Sequence, residues 1–353
     1  MKNLNRDQVI YTMSREHAPV LTVKNGETVT VHTYDCFKDR LIPDDSSFDS
    51  LLFDELNPAT GPIFVEGAKP GDTLKAEILD ISLAPTGVTE IDSEFGCLAH
   101  LVKTPAVKRL PVRNGKIGFS PRLSLDLKPM VGVIGVAPAG QAIPTDTPDS
   151  HGGNMDCTQI KTGSSIYFPV AAEGALLSLG DLHACMGDGE IGGCGVETAG
   201  EVTLKLTVIP NHQKPYPVVV TDKEVMAVAS CKTVDEAWTK AVEYLHDYMV
   251  TETELTSDEA IMLHLPDCKS EQNGAYVHPL KISGGIRIPA EIICLPKHFP
   301  LLYTGCNNQL QGRDFFGIFE KSKACGPSEA TESGSRSPCH YQGCLRKGRQ
   351  SFD

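Results

Sequence analysis

Short runs of apolar and β-branched residues, separated by turns rich in glycine, proline and asparagine, fill much of the chain. In ETVTVHTYDC (27–36), Val29, Val31 and Thr33 alternate with the other positions, which is the period-two pattern of a half-buried strand. The Asn-Gly pair in RNGK (113–116) adopts positive φ at low cost and indicates a hairpin. Many short strands at close spacing are typical of a β-sandwich or a barrel.

Helix signals appear later in the sequence. Thr233-Val-Asp-Glu236 and Thr256-Ser-Asp-Glu259 both have the spacing of a capping box, in which threonine and glutamate bond to each other's backbone amides. Apolar residues then recur at helical spacing after the first box; these are Val234, Ala237, Trp238, Ala241, Leu245 and Tyr248. Short helices beside a body of strands predict a mainly β or α+β protein.

The same signals divide the chain into four segments. We predict an N-terminal β-rich domain over residues 1–120, a central β domain over 121–225 and an α+β portion over 226–304. Residues 305–353 contain few aliphatic residues and show no periodicity. Such a composition predicts a tail that is disordered or not native to the functional fold.

Charge and hydropathy argue against several classes of partner. The net charge is −13, so the chain as a whole repels phosphate backbones, and we expect no nucleic-acid partner. No segment reaches the ~18 apolar residues of a membrane helix. The opening MKNLNRDQVIYTMSREHAPV has no apolar h-region, so we expect a cytoplasmic protein. Its 12 cysteines are then expected as reduced thiols.

Two groups of acids, imidazoles and glycines flank a strand in the middle of the chain. His151 to Asp156 reads HGGNMD, and Asp181 to Glu190 reads DLHACMGDGE. Since residues i and i+2 share a face of a strand, Asp181 and His183 are predicted to project together. Imidazoles, carboxylates and exposed backbone amides are the components of a hydrolytic metal site. The alternative is structural, because an Asp-x-His pair on a strand can also be a hydrogen-bonded surface pair.

Four longer motifs together resemble the acetamidase/formamidase family. They are NPATGPIFVEGAKPGDTL (57–74), PRLSLDLKPMVGVIGVAPA (121–139), DSHGGNMDC (149–157) and DLHACMGDGEIGGCGVE (181–197). The resemblance covers about residues 5–265 and implies hydrolysis of formamide, acetamide or a similar small aliphatic amide to carboxylate and ammonia. It also implies a jelly-roll-like β-sandwich, a barrel-like β region, a small α+β C-terminal portion and a homo-oligomer.

Metal-assisted amide hydrolysis assigns a role to each polar residue. His151, Asp181 and His183 are the predicted ligands of a divalent metal, with zinc as the expected ion, although other divalent ions suit such donors. Glu190 is the predicted proton shuttle. Asn154, with the amides of Gly152 and Gly153, is predicted to stabilise the developing oxyanion.

Two further acids have alternative roles. Asp156 is predicted either as a fourth ligand or as an acid that orients a ligand imidazole. Glu66 follows an apolar strand, and it is either a second proton carrier or a surface acid in a turn.

Two other functions stay open at this point. Cys157, Glu66 and Lys161 could form the nucleophilic site of a different kind of amidase. A jelly-roll protein could also bind a metal or a small ligand without any reaction. The residues do not distinguish formamide from acetamide, because one methyl group changes binding by only about 1–3 kcal/mol.

Overall fold

A computed structural model describes residues 1–267, 269–271 and 282–289. The predicted tail over 305–353, and parts of the predicted portion over 226–304, lie outside the described residues. The strands of the first half are β1 Lys2–Leu4, β2 Val9–Ile10, β3 Thr12–Met13, β4 Leu21–Val23, β5 Thr28–Thr33, β6 Ala59–Val65, β7 Thr73–Leu83, β8 Thr86–Ile91, β9 Ala106–Arg113, β10 Lys116–Ser120 and β11 Leu123–Asp126.

The remaining elements continue in chain order. The strands are β12 Met130–Gly135, β13 Ile143–Pro144, β14 Gly152–Asn154, β15 Ser165–Pro169, β16 Leu177–His183, β17 Glu197–Thr198, β18 Gly200–Ile209, β19 Val218–Val220, β20 Glu224–Cys231, β21 Lys269–Glu271 and β22 Ile282–Pro289. The helices are α1 Val234–Glu252 and α2 Ser257–Asp267, with short 3₁₀ turns at Phe48–Ser50, Phe53–Glu55 and Ala99–Leu101.

Two large sheets contain most of the strands in the described part of the chain. The first has the order β1-β5-β18-β7-β15-β19-β20-β22-β21, and the second has the order β11-β10-β9-β8-β17-β16-β12-β14. Strand β6 also pairs with β16. Strand β16 therefore has β12 along one edge and, along the other, β6 followed by β17.

Apolar side chains from both sheets fill the layer between them. The buried residues of the first sheet include Val29, Val31, Val202, Leu204 and Leu206, and those of the second include Ile63, Val131, Ile134, Leu177 and Leu179. Two sheets that pack face to face over such a layer form a β-sandwich. The predicted fold class, β-rich with a small α+β C-terminal portion, is thereby confirmed.

The predicted N-terminal and central domains do not form separate sheets. Strands from residues 1–120 and from 121–225 alternate within both large sheets. The described residues consequently belong to one compact unit, and residue 120 does not mark a boundary in the fold.

The second predicted capping box is present in full, and the first shows its cap hydrogen bond. The Thr233 hydroxyl accepts a hydrogen bond from the Glu236 amide at 3.3 Å. At the second box, the Thr256 amide donates to Glu259 at 2.9 Å. The apolar stripe of α1 packs on the first sheet and includes Ala237, Ala241, Leu245, Tyr248 and Met249. Trp238 departs from the prediction, since it is 51% exposed.

No helix in the described residues has both the length and the apolar character that a membrane span needs.

We predict that Leu245→Ala lowers the free energy of unfolding by about 2–5 kcal/mol, because it leaves a cavity in a fully buried position. The matched control is Lys240→Ala, on the exposed face of the same helix, with an expected change within about 0.5 kcal/mol. Urea denaturation measures both variants. Equal effects of the two substitutions would contradict the packing of α1 described above.

Candidate functional site

One histidine and three carboxylates meet at the end of β16 in the protein interior. His183 Nε2 lies 3.1 Å from Glu197 Oε2, 3.3 Å from Asp181 Oδ1 and 3.9 Å from Asp156 Oδ1. None of these four side chains is more than 4% exposed. Ionised groups at this depth lose their hydration, so they must be paired, neutralised or bound to a cation.

Strand geometry brings these residues together. Asp181 and His183 are two positions apart on β16, and their 3.3 Å contact confirms that they project together. Glu197 is the cross-strand neighbour of His183 in β17. Asp156 follows β14, which runs antiparallel to β12, so the chain delivers it to the same end of the sheet.

Two glycines leave room for the charged groups. A methyl group on Gly132 would lie 2.5 Å from Asp181 Oδ2 and 2.7 Å from Asp156 Oδ1. A methyl group on Gly195 would lie 2.7 Å from His183 Nδ1. Side chains at these positions would therefore displace the carboxylates and the imidazole.

Three acids of the site have left-handed backbone conformations. The φ angles are 44° at Asp156, 57° at Asp181 and 36° at Glu190. Such angles are uncommon outside glycine and raise the free energy by about 1–3 kcal/mol each. Strained residues of this kind concentrate at active sites and ligand clamps, so their coincidence here favours a functional role.

The cluster forms one wall of a cavity with a volume of about 50 Å³. Its acidic lining residues are Asp156, Asp181, Glu190, Glu197, Glu90 and Asp92, and its other polar lining residues are His183, Asn57, Asn154, Cys36 and Cys194. Phenylalanines complete the lining; these are Phe37, Phe48, Phe53 and Phe95. Among the described residues, no lysine or arginine lines this cavity, so its potential is negative.

Burial and mutual repulsion raise the pKa values of four of the acids, whereas the charge of His183 outweighs burial and lowers the pKa of Asp181. Burial, followed by the charge of Asp181, raises the pKa of Asp156 well above its usual range. Burial, with the charge of Asp156, does the same to the pKa of Glu190. Burial raises the pKa of Glu197 to about 6. It also raises the pKa of Glu90, beside Asp92, to about 7.

The pKa of the His183 imidazole is also raised, but for a different reason. Burial acts to lower the pKa of His183, but the charges of Glu197 and Asp181 outweigh it and raise that pKa well above its usual value. The cluster therefore holds an imidazolium among acids that it cannot fully neutralise.

A divalent cation fits this arrangement. Within the described structure, Glu190 Oε2, Asn154 Oδ1 and Asp156 Oδ1 are buried and accept no hydrogen bond. Buried polar atoms normally have a partner, and leaving one unpaired costs about 1–3 kcal/mol. Two groups of three residues could each hold an ion, because the donor atoms within a group all lie within 4.8 Å of one another. The first group is Asp156, His183 and Glu190, and the second is Cys36, Asp181 and Glu197.

His151 does not join the cluster, and the predicted proximity of His151 and His183 is wrong. The His151 carbonyl accepts from Val136, whereas His183 is the partner of Met130. Met130 begins β12 and Val136 directly follows its end, so the two positions are six residues apart, which corresponds to roughly 20 Å at ~3.3 Å per residue. His151 is buried at the far end, where its ring packs on Gly153.

Glu66 and the Gly152 amide lie away from the cavity, so Glu66 agrees with the alternative of a surface acid in a turn, and the Gly152 amide does not support the predicted oxyanion role. Glu66 is exposed and follows β6, in which Ala59 is level with Gly180 and the chain then runs away from His183. Gly152 pairs with Gly135, and its amide donates to the Asp149 carbonyl.

The predicted cysteine-nucleophile site is not assembled. Cys157 is fully buried with its Sγ 3.5 Å from Met226 Sδ. Lys161 is exposed and donates to Gln159. With Glu66 also exposed, these groups do not converge on one cavity.

Asn154, Asp156, Asp181, His183 and Glu190 are the predicted residues that line the cavity. The predicted site did not include the other polar lining residues, which are Cys36, Asn57, Glu90, Asp92, Cys194 and Glu197. Glu197 ends the last quoted motif, but its place beside His183 depends on the register between β16 and β17, which local periodicity does not contain.

The sequence matches the Acetamidase/Formamidase family over residues 5–143 and 137–258. An acetamidase from Mycolicibacterium smegmatis is 28% identical, with 60% of this chain and 70% of that protein covered. A formamidase from Methylophilus methylotrophus is also 28% identical, with 61% of this chain and 68% of that protein covered.

Similarity extends to three dimensions. The crystal structure of a predicted acetamidase/formamidase from Thermoanaerobacter tengcongensis superposes with a TM-score of 0.80 at 39% sequence identity. That match covers 83% of this chain and 96% of the other.

We predict that Gly132→Ala weakens Zn²⁺ binding by about 10- to 100-fold, the effect of disturbing groups that orient metal ligands. It should also destabilise the fold by about 1–3 kcal/mol through overpacking. Gly140→Ala is the control, since a methyl group there meets nothing within 4 Å. Calorimetric titration and thermal denaturation measure the two effects, and unchanged Zn²⁺ affinity in Gly132→Ala would contradict the crowding argument.

Proposed function

The chain belongs to the acetamidase/formamidase family, and from that premise we infer that the cavity beside His183 hydrolyses small linear amides. The proposed reaction converts formamide or acetamide, with water, into the carboxylate and ammonia. The observation that carries this proposal is the buried cluster of His183 and carboxylates, whose unpaired oxygens face a small cavity.

The size of the cavity supports a small substrate. A volume of about 50 Å³ corresponds to roughly four water-sized groups at ~10–15 Å³ each. Formamide and acetamide are of this size. The phenylalanines of the lining would exclude bulk water once the substrate is bound, which strengthens the electrostatic interactions inside.

The residues present fit a divalent metal, and we propose zinc held by Asp156, Asp181 and His183. Asp181 and His183 were predicted ligands, and Asp156 takes the place that His151 cannot fill. When bound, such an ion supplies Lewis acidity that polarises an amide carbonyl and lowers the pKa of a water molecule to about 7.

Glu190 is placed to move the protons. Its carboxylate offers an oxygen within 4.8 Å of donor atoms on Asp156 and His183, and its Oε2 accepts no hydrogen bond in the described structure. We propose that Glu190 takes a proton from the attacking water and gives it to the leaving nitrogen. A pKa raised by burial and by Asp156 suits a carboxyl that must hold that proton between the two steps.

Asn154 is the proposed oxyanion donor. It lines the same cavity and is 4% exposed. A side-chain amide aimed at the carbonyl oxygen would stabilise the negative charge that develops there, an effect of about 3 kcal/mol where it has been measured in other enzymes.

We also propose that the protein acts in the cytoplasm as a homo-oligomer. The sequence resemblance supports an oligomer, and so does apolar surface of the kind that subunit contacts cover. Phe53, Leu98 and Leu101 are 56%, 49% and 64% exposed.

We predict that Glu190→Gln lowers kcat for formamide by about 10²- to 10⁴-fold while zinc content stays unchanged, because the variant loses the proton carrier but keeps the ligands. Glu66→Gln is the matched control and should retain normal turnover, since Glu66 is exposed and remote from the cavity. Ammonia release and elemental analysis give the two readouts. A Glu190→Gln enzyme with near-normal kcat would remove Glu190 from the proposed role.

We predict that chelation abolishes ammonia release from both amides and that Zn²⁺ restores it. His183→Ala should neither hold zinc nor regain activity, because its imidazole is the nitrogen donor of the proposed set. His100→Ala, at an exposed position, should behave as the unaltered protein. Full activity in exhaustively chelated enzyme would rule out metal-assisted hydrolysis.

A further inference from the structure

We propose that Phe53, packed against Phe48, limits the length of the acyl chain that the cavity accepts. The inference rests on the proposed function and deepens it, because it names the part of the cavity that selects among amides. Formamide and acetamide fit within this limit, whereas propionamide and butyramide exceed it.

The proposed roles determine how the amide is oriented. The leaving nitrogen faces Glu190 and the carbonyl oxygen faces Asn154, and both side chains belong to the polar part of the lining. The carbonyl carbon has one further substituent, which is hydrogen in formamide and methyl in acetamide. Since an apolar group gains nothing from the polar side chains, this substituent is directed toward the apolar part of the lining.

One segment of the chain supplies most of that apolar lining. We call its five residues the apolar wall; they are Phe37, Phe48, Leu51, Phe53 and Leu56. The rings of Phe48 and Phe53 meet edge to face with their centroids 6.0 Å apart, an arrangement that aromatic pairs prefer. Leu51 is 8% exposed, whereas Phe53 is 56% exposed. A ring that lines the cavity and is also half exposed lies at its mouth, so its removal lengthens the cavity outward.

The volume of the cavity leaves no room for a longer chain. A cavity of about 50 Å³ is filled by roughly four water-sized groups, which is the size of acetamide. Each additional methylene must therefore displace a side chain of the apolar wall. Forcing extra methylenes into a filled apolar space is unfavourable, and the cost falls on the longer amide alone.

Arg109 on β9 holds the apolar wall in place. Its Nη2 donates to the carbonyl and the hydroxyl of Ser46 at 2.7 and 2.6 Å, and its Nε donates to the Ile42 carbonyl at 3.2 Å. Within the segment itself, Arg40 donates to Glu55 at 2.6 Å. A wall excludes a longer chain only if it does not move aside, and these bonds oppose such movement. Arg109 is therefore a positioning residue for the selection.

The test compares kcat/KM for formamide, acetamide, propionamide and butyramide, measured by ammonia release. Phe53→Ala should raise the ratio of butyramide to formamide by about 10- to 200-fold, the effect of one methylene in an apolar pocket. Leu52→Ala is the matched control, since Leu52 is 47% exposed and does not line the cavity; it should leave the ratio unchanged. Loss of folded or assembled enzyme lowers both values alike, so the ratio reports the cavity alone.

Arg109→Lys is the second variant. Lysine keeps the charge but lacks the planar fork that reaches several acceptors at once, so the same ratio should rise, although less than in Phe53→Ala. Arg113→Lys, at an exposed position near the end of β9, should leave the ratio unchanged. A ratio that rises only in Phe53→Ala would remove Arg109 from its positioning role.

Two further outcomes separate this inference from the proposed function. An unchanged ratio in Phe53→Ala, or an unaltered protein that hydrolyses butyramide as well as formamide, would overturn the length limit while the amidase activity stands. An unaltered protein that releases no ammonia from any of these amides would contradict the proposed function, and the length limit with it.

Discussion

The imidazole of His183 and the carboxylates of Glu197, Asp181 and Asp156 face one another at 3.1 to 3.9 Å, where solvent does not reach them. One imidazolium cannot neutralise several carboxylates, so the remaining acids either take up protons or share a cation. Burial, which raises the pKa values of Asp156 and Glu190, favours the first outcome. A bound cation produces the second, because it stabilises the ionised carboxylates. The chemistry that the site can perform therefore depends on its occupancy.

The fold supports this cluster at the expense of local backbone preference. Every residue of β16 is buried, and its edges are occupied by β12, β6 and β17, so its backbone groups are satisfied without water. Within that frame Asp181 keeps a left-handed φ, and Gly132 supplies the space that its carboxylate needs. The extensive sandwich core stabilises the protein enough to retain such strain.

Local patterns in the sequence predicted what depends on local geometry. The structure contains three features that follow from spacings of two or three residues: the cap bond at Thr233, the capping box of Thr256 and Glu259, and the contact between Asp181 and His183. The prediction for His151 was wrong because the HGGNMD segment includes strand β14, so its two ends lie far apart. The motif alone does not indicate which of these ends lies near His183. Glu197 lies in the site because β17 pairs with β16, and Cys36 lies there because the segment after β5 is placed beside that strand. Both placements depend on contacts between segments that are distant in sequence.

The acidity of the cavity also bears on which molecules it can retain. Amides are neutral, and their NH₂ group can donate to unpaired oxygens such as Glu190 Oε2. The carboxylate formed by hydrolysis has no such donors and carries a charge of the same sign as the lining acids. Repulsion among like charges in a poorly hydrated site is strong, so it favours departure of the product. A lining rich in carboxylates thus favours a neutral molecule over an anion at any position where a bound cation does not offset its charge.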